Sequence, residues 1–498
     1  MVDITERVES IRQMIERGDY FCINRGRQYG KTTTLHAIRR MLQPEYLVLS
    51  MSFEGLGQSD MATDDAVART FVKILDFQMR YTNPDPNVRE VVKNAMLQPS
   101  YSLTDLSYTV SDLCYAAGKS IVLLIDEVDN ASNYESFLHF LGLLRNKYLD
   151  RGMFPTFQSV ILAGVYDIKN LKLKIRTEGK HQYNSPWNIA VPFDMDMSLH
   201  APGIAGMLQE YATDNSLSFD VDAVAQLIYD YTSGYPFLVS RICQIIDDKS
   251  YTWDRQGVID AVHDLLYEQN TLFDDAVKKL DDYPQLRQLM KSILFSGERR
   301  SFSPDEKFIQ LGLQFMFIRV VNGYLTVANR ILETRLYNLF AAEQQNAQIY
   351  TCGSLDKARF VQDGNLDVRG ILERFVQHFN DIYGNEPQDF LEKEGRRLFL
   401  LYLRPIINGV GNYYVEAETR DESRTDVIID YRGHQYVIEM KIWRGNSYNE
   451  RGEKQLAEYL DYYHLTTGYL VSFSFNKSKQ PGVHEVIVDD KKLIEALV

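Results

Sequence analysis

The chain has 498 residues, 45% of them hydrophobic and 24% charged, so it exceeds one hydrophobic core and predicts about three globular domains. Its formal net charge of −14 excludes indiscriminate coating of nucleic acid, so phosphate binding must come from local basic patches or carboxylate-held metal ions. The four cysteines form no C-x-x-C pair, which argues against disulfides or zinc and indicates a cytoplasmic protein. No apolar run approaches the roughly 20 residues that span a bilayer, so we expect no membrane partner.

The first pattern with chemical meaning lies at residues 20–33. An apolar run at 20–23 predicts a buried strand, and a helical spacing of apolar residues begins at Leu35. Between them the chain reads NRGRQYGKTT. A strand, a glycine-containing loop, Gly-Lys-Thr and a helix form the phosphate-binding arrangement of P-loop proteins, in which backbone N–H groups and the helix N-terminus face an anion.

We therefore predict that this loop binds ATP. Lys31 would reach the phosphates, and the Thr32 hydroxyl would bind Mg²⁺. The residues predicted to contact the nucleotide are Arg27, Gln28, Tyr29, Gly30, Lys31, Thr32 and Thr33. Arg25 occupies the first glycine position of the usual pattern, so we expect nucleotide binding rather than fast turnover. The alternative is an ordinary strand–turn–helix with a helix-capping Thr.

A second apolar run at 121–125 ends in Asp126 and Glu127. It predicts a buried parallel strand with carboxylates at its C-terminal edge, where ligands bind in open α/β sheets. We predict that Asp126 helps to hold Mg²⁺ through water and that Glu127 polarises the attacking water. A strand ending in a solvated acidic turn is the alternative. A further strand at 157–164 would end at the same site, and the alternation of strands and helices predicts a doubly wound parallel sheet.

The middle of the chain carries weaker signals. The basic stretch 169–180 reads as a solvated face, with Arg176 as an alternative arginine finger. Residues 255–345 read as helices followed by a hairpin at 315–327, whose turn is Asn322-Gly323. Helices that end in a hairpin are typical of a winged helix.

The P loop, LLIDEVD at 123–129, SPWNI at 185–189 and SGYPFL at 233–238 together resemble the AAA-like ATPase domains of many bacterial proteins. The resemblance covers about residues 1–250. It implies a P-loop core followed by a helical lid and often a winged helix.

The C-terminal part contains a second centre. We expect a polar linker at 344–363, helices at 366–383 and 389–403, and three short strands linked by tight turns. The strands are predicted at 413–418, 426–431 and 435–441. Asp426 begins the central strand, and the third strand ends in Glu439-Met440-Lys441.

An Asp followed 13 positions later by Glu-x-Lys resembles the PD-(D/E)xK nuclease superfamily. Asp426 and Glu439 can jointly hold Mg²⁺ beside a scissile phosphate, with the Met440 carbonyl as a further ligand. Lys441, on the same strand face as Glu439, can position or deprotonate the attacking water.

The resemblance also implies catalytic roles for two residues on helices. Gln455 stands where many family members carry an orienting Gln, and Glu394 matches an acidic residue of the first core helix. One departure is that Arg-Thr precedes the first acid in place of Pro. A hairpin with a merely solvated charged face is the alternative.

Nearly the whole chain thus resembles bacterial proteins that join an AAA-like ATPase to a C-terminal PD-(D/E)xK nuclease. The predicted fold class is α/β: a P-loop NTPase parallel sheet with a helical lid and winged helix, plus an α/β restriction-endonuclease-like domain. The predicted domains are the ATPase core at 1–215, the lid and winged helix at 216–345, and the nuclease-like domain at 346–498.

We predict that the ATPase gates a Mg²⁺-dependent nuclease that acts on DNA rather than RNA, in defence against foreign DNA. In one alternative, the P-loop domain is a nucleotide-dependent switch and the C-terminal fold is a non-cleaving DNA-binding or assembly module. In another, the nucleotide is bound only for structure. Assembly into a homo-oligomer stays open, since ATPases of this type often assemble so that a neighbour's arginine completes the site.

Overall fold

The computed structural model divides the chain into two compact units, Asp3–Met197 and Ser198–Val498, and the second also takes in Val2. The structure describes residues 2–498 apart from 83–84, 166–186, 297–299, 344–347, 357–358, 363–364, 384–387, 408–410, 417–424, 432–433, 443–452, 455, 458–459, 462 and 475–479. None of the helices in this described part is both long and apolar enough to cross a bilayer.

The first unit alternates strands with helices. In chain order its elements are α1 (Thr5–Glu16), β1 (Phe21–Asn24), α2 (Lys31–Leu42), β2 (Leu47–Ser52), α3 (Gln58–Met61), α4 (Asp64–Thr82), α5 (Pro86–Leu97), α6 (Leu103–Ala116), β3 (Ile121–Asp126), a 3₁₀ turn (Val128–Ala131), α7 (Glu135–Leu149) and β4 (Ser159–Gly164).

These four strands form a parallel sheet in the order β1-β4-β3-β2. The prediction of a parallel sheet is confirmed, and β1, β3 and β4 each begin and end within two residues of their predicted ranges. All six residues of β3 are buried, because helices cover both faces of a parallel sheet. The carboxyl ends of β1, β3 and β4 therefore meet at one edge.

The second unit begins with helices and ends with strands. Its helices are α8 (Ala201–Asp214), α9 (Val221–Thr232), α10 (Pro236–Asp248), α11 (Arg255–Tyr267), α12 (Thr271–Asp282), α13 (Pro284–Ser296), α14 (Lys307–Gln314), α15 (Arg330–Ala342), α16 (Gln348–Asp356), α17 (Val368–Tyr383) and α18 (Gln388–Ile407). Its strands are β5 (Ile318–Val321), β6 (Tyr324–Val327), β7 (Val361–Gln362), β8 (Asn365–Leu366), β9 (Gly411–Glu416), β10 (Thr425–Tyr431), β11 (His434–Ile442), β12 (Thr467–Phe473), β13 (Gly482–Val488) and β14 (Lys491–Leu497).

The predicted hairpin is confirmed as β5 paired with β6. Its two turn residues, Asn322 and Gly323, have φ of 50° and 82°. Two successive positive φ angles define the tight turn whose twist matches that of the flanking strands, which is why Asn-Gly is so strong a signal.

The C-terminal strands form a mixed sheet in the order β13-β14-β12-β11-β10-β9. Strands β9, β10 and β11 are an antiparallel meander, as predicted, whereas β12 runs parallel to β11 and β14 runs parallel to β12. Alternate residues of the meander, such as Val427, Ile429 and Ile438, pack into the core of the second unit. The opposite face of β10 and β11 carries the predicted catalytic positions.

The predicted linker at 344–363 is wrong over its central part, because helix α16 occupies residues 348–356. Ile349 is fully buried in the core, and Gly353 packs tightly on α18. A Cβ at Gly353 would lie 2.0 Å from the Tyr402 carbonyl oxygen. One hydrophobic core runs from Leu280 to Val498 across this segment. The predicted borders at 215 and 345 stay predictions.

Replacing Gly353 tests this packing. We expect Gly353→Ala to lower the free energy of unfolding by about 1–3 kcal/mol, because its methyl group would clash with the α18 backbone. Gly206→Ala in α8 is the matched control, since a Cβ there meets no atom within 4 Å. The control should be neutral or stabilising by about 0.5–1 kcal/mol. Equal melting temperatures for the two variants would contradict the close approach of α16 to α18.

Candidate functional site

The P loop leaves the sheet at the end of β1. The Arg25 N–H donates to the Gly164 carbonyl of β4 at 3.2 Å, so the loop begins beside the neighbouring strand. Gln28 and Gly30 then adopt left-handed backbone angles, with φ of 54° and 78°, and Gly30 is the N-cap of α2. A Cβ at Gly30 would meet nothing within 4 Å, so glycine is favoured there by its backbone angle.

Lys31 is the buried centre of the loop. Its side chain is only 6% exposed, and its ammonium donates to the Arg25 carbonyl at 3.0 Å and to the Gly26 carbonyl at 2.9 Å. A buried ammonium requires such partners, because an unpaired charge away from water is costly. The loop backbone therefore curls around the lysine head group.

Acidic residues surround this ammonium. Burial lowers the pKa of Lys31 below its ordinary value, while Asp129, Glu127 and Asp126 oppose that shift. Three carboxylates near one lysine leave an excess of negative charge, which a bound divalent cation would offset.

Thr32 and Asp126 are brought together from positions 94 residues apart in the sequence. The Thr32 hydroxyl donates to a carboxylate oxygen of Asp126 at 2.6 Å. A hydroxyl and a carboxylate are hard oxygen donors, the kind that Mg²⁺ takes in nucleotide sites. The residues present therefore fit a magnesium ion beside the first turn of α2.

Glu127 follows Asp126 in a left-handed conformation, with φ of 52°. Its N–H donates to the Asp126 carboxylate at 2.9 Å. Burial raises the pKa of Glu127, and the nearby Lys31 ammonium opposes the rise. A carboxylate with a raised pKa beside a phosphate-binding loop is suited to accept a proton from water.

Arg25 has a structural role that the sequence did not reveal. Its guanidinium donates to the Asn24 carbonyl at 2.9 Å and to the Met195 carbonyl at 2.7 Å, and it lies 5.6 Å from the Phe193 ring centroid. Arg25 is not among the residues with positive φ, so a glycine at this position is not needed for backbone freedom. The missing glycine is thus replaced by a side chain that ties the loop to residues 193–195.

Asp129 and Gly164 were also missed by sequence reasoning. The Asp129 carboxylate accepts the Val165 N–H at the end of β4. A Cβ at Gly164 would lie 2.9 Å from Val128 Cγ2 and 3.0 Å from Asp129 Oδ1. Glycine at this strand end therefore lets the acidic segment after β3 approach the P loop.

The other predicted nucleotide contacts differ in exposure. Arg27 and Gln28 are exposed on the loop, Tyr29 is buried, and Thr33 is exposed on the first turn of α2. Arg176, the candidate arginine finger, lies outside the described residues.

The second predicted centre lies on β10 and β11. The strand register places Asp426 directly opposite Glu439. Glu439 and Lys441 are each only 2% exposed and lie two residues apart, on one face of β11. The side chain of Met440 points to the other face and packs in the core.

Three further predictions are only partly covered by the structure. Asp426 lies in β10 and Glu394 in α18, but their side chains, like all of Gln455, are outside the described part. Among the described side chains, no group of three or more His, Cys, Asp or Glu is suited to hold a metal.

A Cβ at Gly395 would lie 2.6 Å from the Phe473 ring, so this turn of α18 packs against β12, the strand next to β11.

A neighbouring polar pair extends this face of the sheet. Ser472 of β12 is the register partner of Lys441, and its hydroxyl donates to Glu495 of β14 at 2.9 Å. Sequence reasoning missed Glu495, because no strand is predicted after residue 441 and β14 therefore has no predicted register.

Comparisons with known proteins give distant likenesses. No protein-family model and no curated protein matches the chain. The Walker-type ATPase PABY2304 of Pyrococcus abyssi is 14% identical with a TM-score of 0.47, over 68% of this chain and 96% of that chain. The ORC1 protein of Aeropyrum pernix, solved in complex with DNA, is 13% identical with a TM-score of 0.31, over 69% of this chain and 94% of that chain. Similarity this low assigns no function to the chain.

Proposed function

We propose that the first unit binds ATP with Mg²⁺ at the P loop and hydrolyses it. The observation that carries this proposal is the buried Lys31 ammonium, held by loop carbonyls, beside the Thr32–Asp126 pair. Lys31 and the N-terminus of α2 supply positive charge for phosphates, and Thr32 and Asp126 supply oxygen ligands for the ion. When bound, Mg²⁺ neutralises charge on the phosphates.

Glu127 completes the proposed ATPase site. Its raised pKa and its position directly after Asp126 suit it to orient and deprotonate a water molecule. The left-handed backbone at Glu127 costs on the order of 1 kcal/mol, and such strain is typical of functional positions.

Calorimetric titration of the full-length protein with Mg²⁺ and a slowly hydrolysed ATP analogue tests nucleotide binding. We expect saturable binding that Lys31→Ala weakens by about 10- to 100-fold, because charge-assisted hydrogen bonds are lost. Arg40→Ala is the matched control, since Arg40 is an exposed cation in the last turn of α2. Equal affinities of wild type and Lys31→Ala would overturn the proposal.

We further propose that the C-terminal sheet carries a Mg²⁺-dependent nuclease site that cleaves DNA. Support comes from the direct pairing of Asp426 with Glu439 and from the burial of Glu439 and Lys441 on one face of β11. Two charged side chains in a sheet interior are expensive to bury, so they are typical of a site rather than of packing. A metal ion bound there would polarise a phosphate oxygen and a water molecule.

We also propose that ATP binding at the P loop gates this nuclease site. Contacts between helices of the second unit and the β10–β11 hairpin support this proposal. Tyr231 of α9 donates to Asp430, and Arg255 of α11 donates to Gln435. Asp430 and Gln435 face each other at the turn end of the β10–β11 hairpin, whose other end carries Asp426 and Glu439. Movement of these helices would therefore shift the strands that hold the proposed catalytic residues.

Plasmid cleavage with Mg²⁺, with and without ATP, tests the nuclease. We expect Asp426→Asn, Glu439→Gln and Lys441→Ala each to slow cleavage at least about 100-fold, since metal-assisted charge stabilisation contributes several kcal/mol. Glu485→Gln, an exposed acid on edge strand β13, should cut like wild type. Melting curves must show that each variant is folded.

Two outcomes would count against this part of the account. If wild type cuts no DNA, or if the three variants cut as fast as wild type, the C-terminal fold is a non-cleaving module. If Lys31→Ala abolishes ATP binding but leaves cleavage and its ATP response unchanged, the gating proposal fails while the nuclease proposal stands.

A further inference from the structure

A cavity of about 840 Å³ lies in the second unit, and none of its lining residues belongs to either proposed catalytic centre. It is formed where α9 and α11 begin and where β11 leaves the hairpin turn. Its size is within the range of pockets that bind small molecules, about 300–1,000 Å³. Its aromatic lining comes from Phe219, Tyr251, Trp253 and Tyr463.

Neighbouring groups hold the aromatic side chains in place, and the Tyr211 ring packs on Trp253 with centroids 5.1 Å apart. The rings of Phe219 and Trp253 are stacked, with centroids 5.4 Å apart and planes inclined by 17°. The Tyr251 hydroxyl is held by Asp264 at 2.7 Å, and the Tyr463 hydroxyl accepts from Arg330 at 2.8 Å. Rings held in this way favour a planar aromatic ligand, which can pack on them without reordering the side chains.

The charged residues that line the cavity determine whether it favours a positively or a negatively charged ligand. Asp220, Asp230 and Asp254 line the cavity, together with two basic groups, the His464 imidazole and the Arg255 guanidinium, which donates to Gln435. Two of the acids are N-caps: Asp220 accepts the Ala223 N–H, and Asp254 accepts the Gly257 N–H.

The N-caps Asp220 and Asp254 affect which ligand can bind, because an uncapped helix N-terminus attracts anions. At both helices that begin here, a cap carboxylate already bonds an N–H group that an anion would use. The three carboxylates outnumber the two basic groups, so the cavity disfavours an anion and favours a cation.

We propose that this cavity binds a planar aromatic cation, a molecule of the aromatic amine class. The ring packs on the Phe219–Trp253 pair, and the ammonium lies beside the carboxylates of Asp220 and Asp254, the residues that directly follow these two rings in the sequence. The lining includes no P-loop residue and none of Asp426, Glu439 and Lys441, so failure of this proposal would leave the ATPase and nuclease proposals intact.

Three probes separate the contributions of ring and charge: tryptamine, indole-3-acetate and butylamine. Calorimetry and saturation-transfer NMR on the full chain should show saturable binding of tryptamine. Indole-3-acetate, with the same ring and opposite charge, should bind at least about tenfold more weakly, and so should butylamine, which lacks the ring. Absence of saturable tryptamine binding, or equal affinity for indole-3-acetate, would overturn the proposal.

Substitutions of the lining residues test whether tryptamine binds in this cavity. Trp253→Ala should weaken tryptamine binding at least about tenfold, whereas Trp253→Phe should retain most of it. Asp220→Asn combined with Asp254→Asn should weaken it about fivefold, since asparagine keeps both helix caps but removes both charges. Tyr267→Ala removes an aromatic ring of α11 that is 49% exposed and outside the cavity, and should leave the affinity unchanged.

If Trp253→Ala fails to fold, the double variant Asp220→Asn/Asp254→Asn still tests the proposal. Tryptamine binding that the Asp220→Asn/Asp254→Asn pair does not weaken would show that the amine binds elsewhere, and would overturn the proposal.

Discussion

The buried ammonium of Lys31 is the constraint on which the first unit depends. It can leave water only because the carbonyls of Arg25 and Gly26 accept its protons and carboxylates lie nearby. Those partners exist because the strands are parallel, so that β1, β3 and β4 deliver their carboxyl ends to one edge. The sheet order and the glycine at the end of β4 bring the carboxylates close to Lys31. The left-handed turn before α2 directs the loop around its ammonium.

Much of this first site could be predicted from the sequence, because the P loop and the acidic strand end are local patterns. The contact of Arg25 with the Met195 carbonyl could not be predicted, because its two partners are 170 residues apart and neither belongs to a motif. The role of Gly164 was hidden for a similar reason, since it depends on the approach of Val128 and Asp129 from another strand end.

In the second unit, alternating apolar residues and the Asn-Gly turn predicted β5, β6 and the meander of β9 to β11. Helix α16 was missed because its stability comes from packing Gly353 on α18 rather than from strong helix signals. The partnership of Lys441, Ser472 and Glu495 depends on parallel pairing between strands distant in sequence. Buried charge in this sheet and the aromatic cavity beside it are likewise products of tertiary packing.

The most direct test of the central claim is a crystal structure of the protein with Mg²⁺ and a non-hydrolysable ATP analogue. We expect the analogue phosphates within the 24–32 loop, with the Lys31 ammonium about 3 Å from a phosphate oxygen and the ion beside Thr32 and Asp126. An analogue bound elsewhere, with Lys31 still donating to the Arg25 and Gly26 carbonyls, would contradict it.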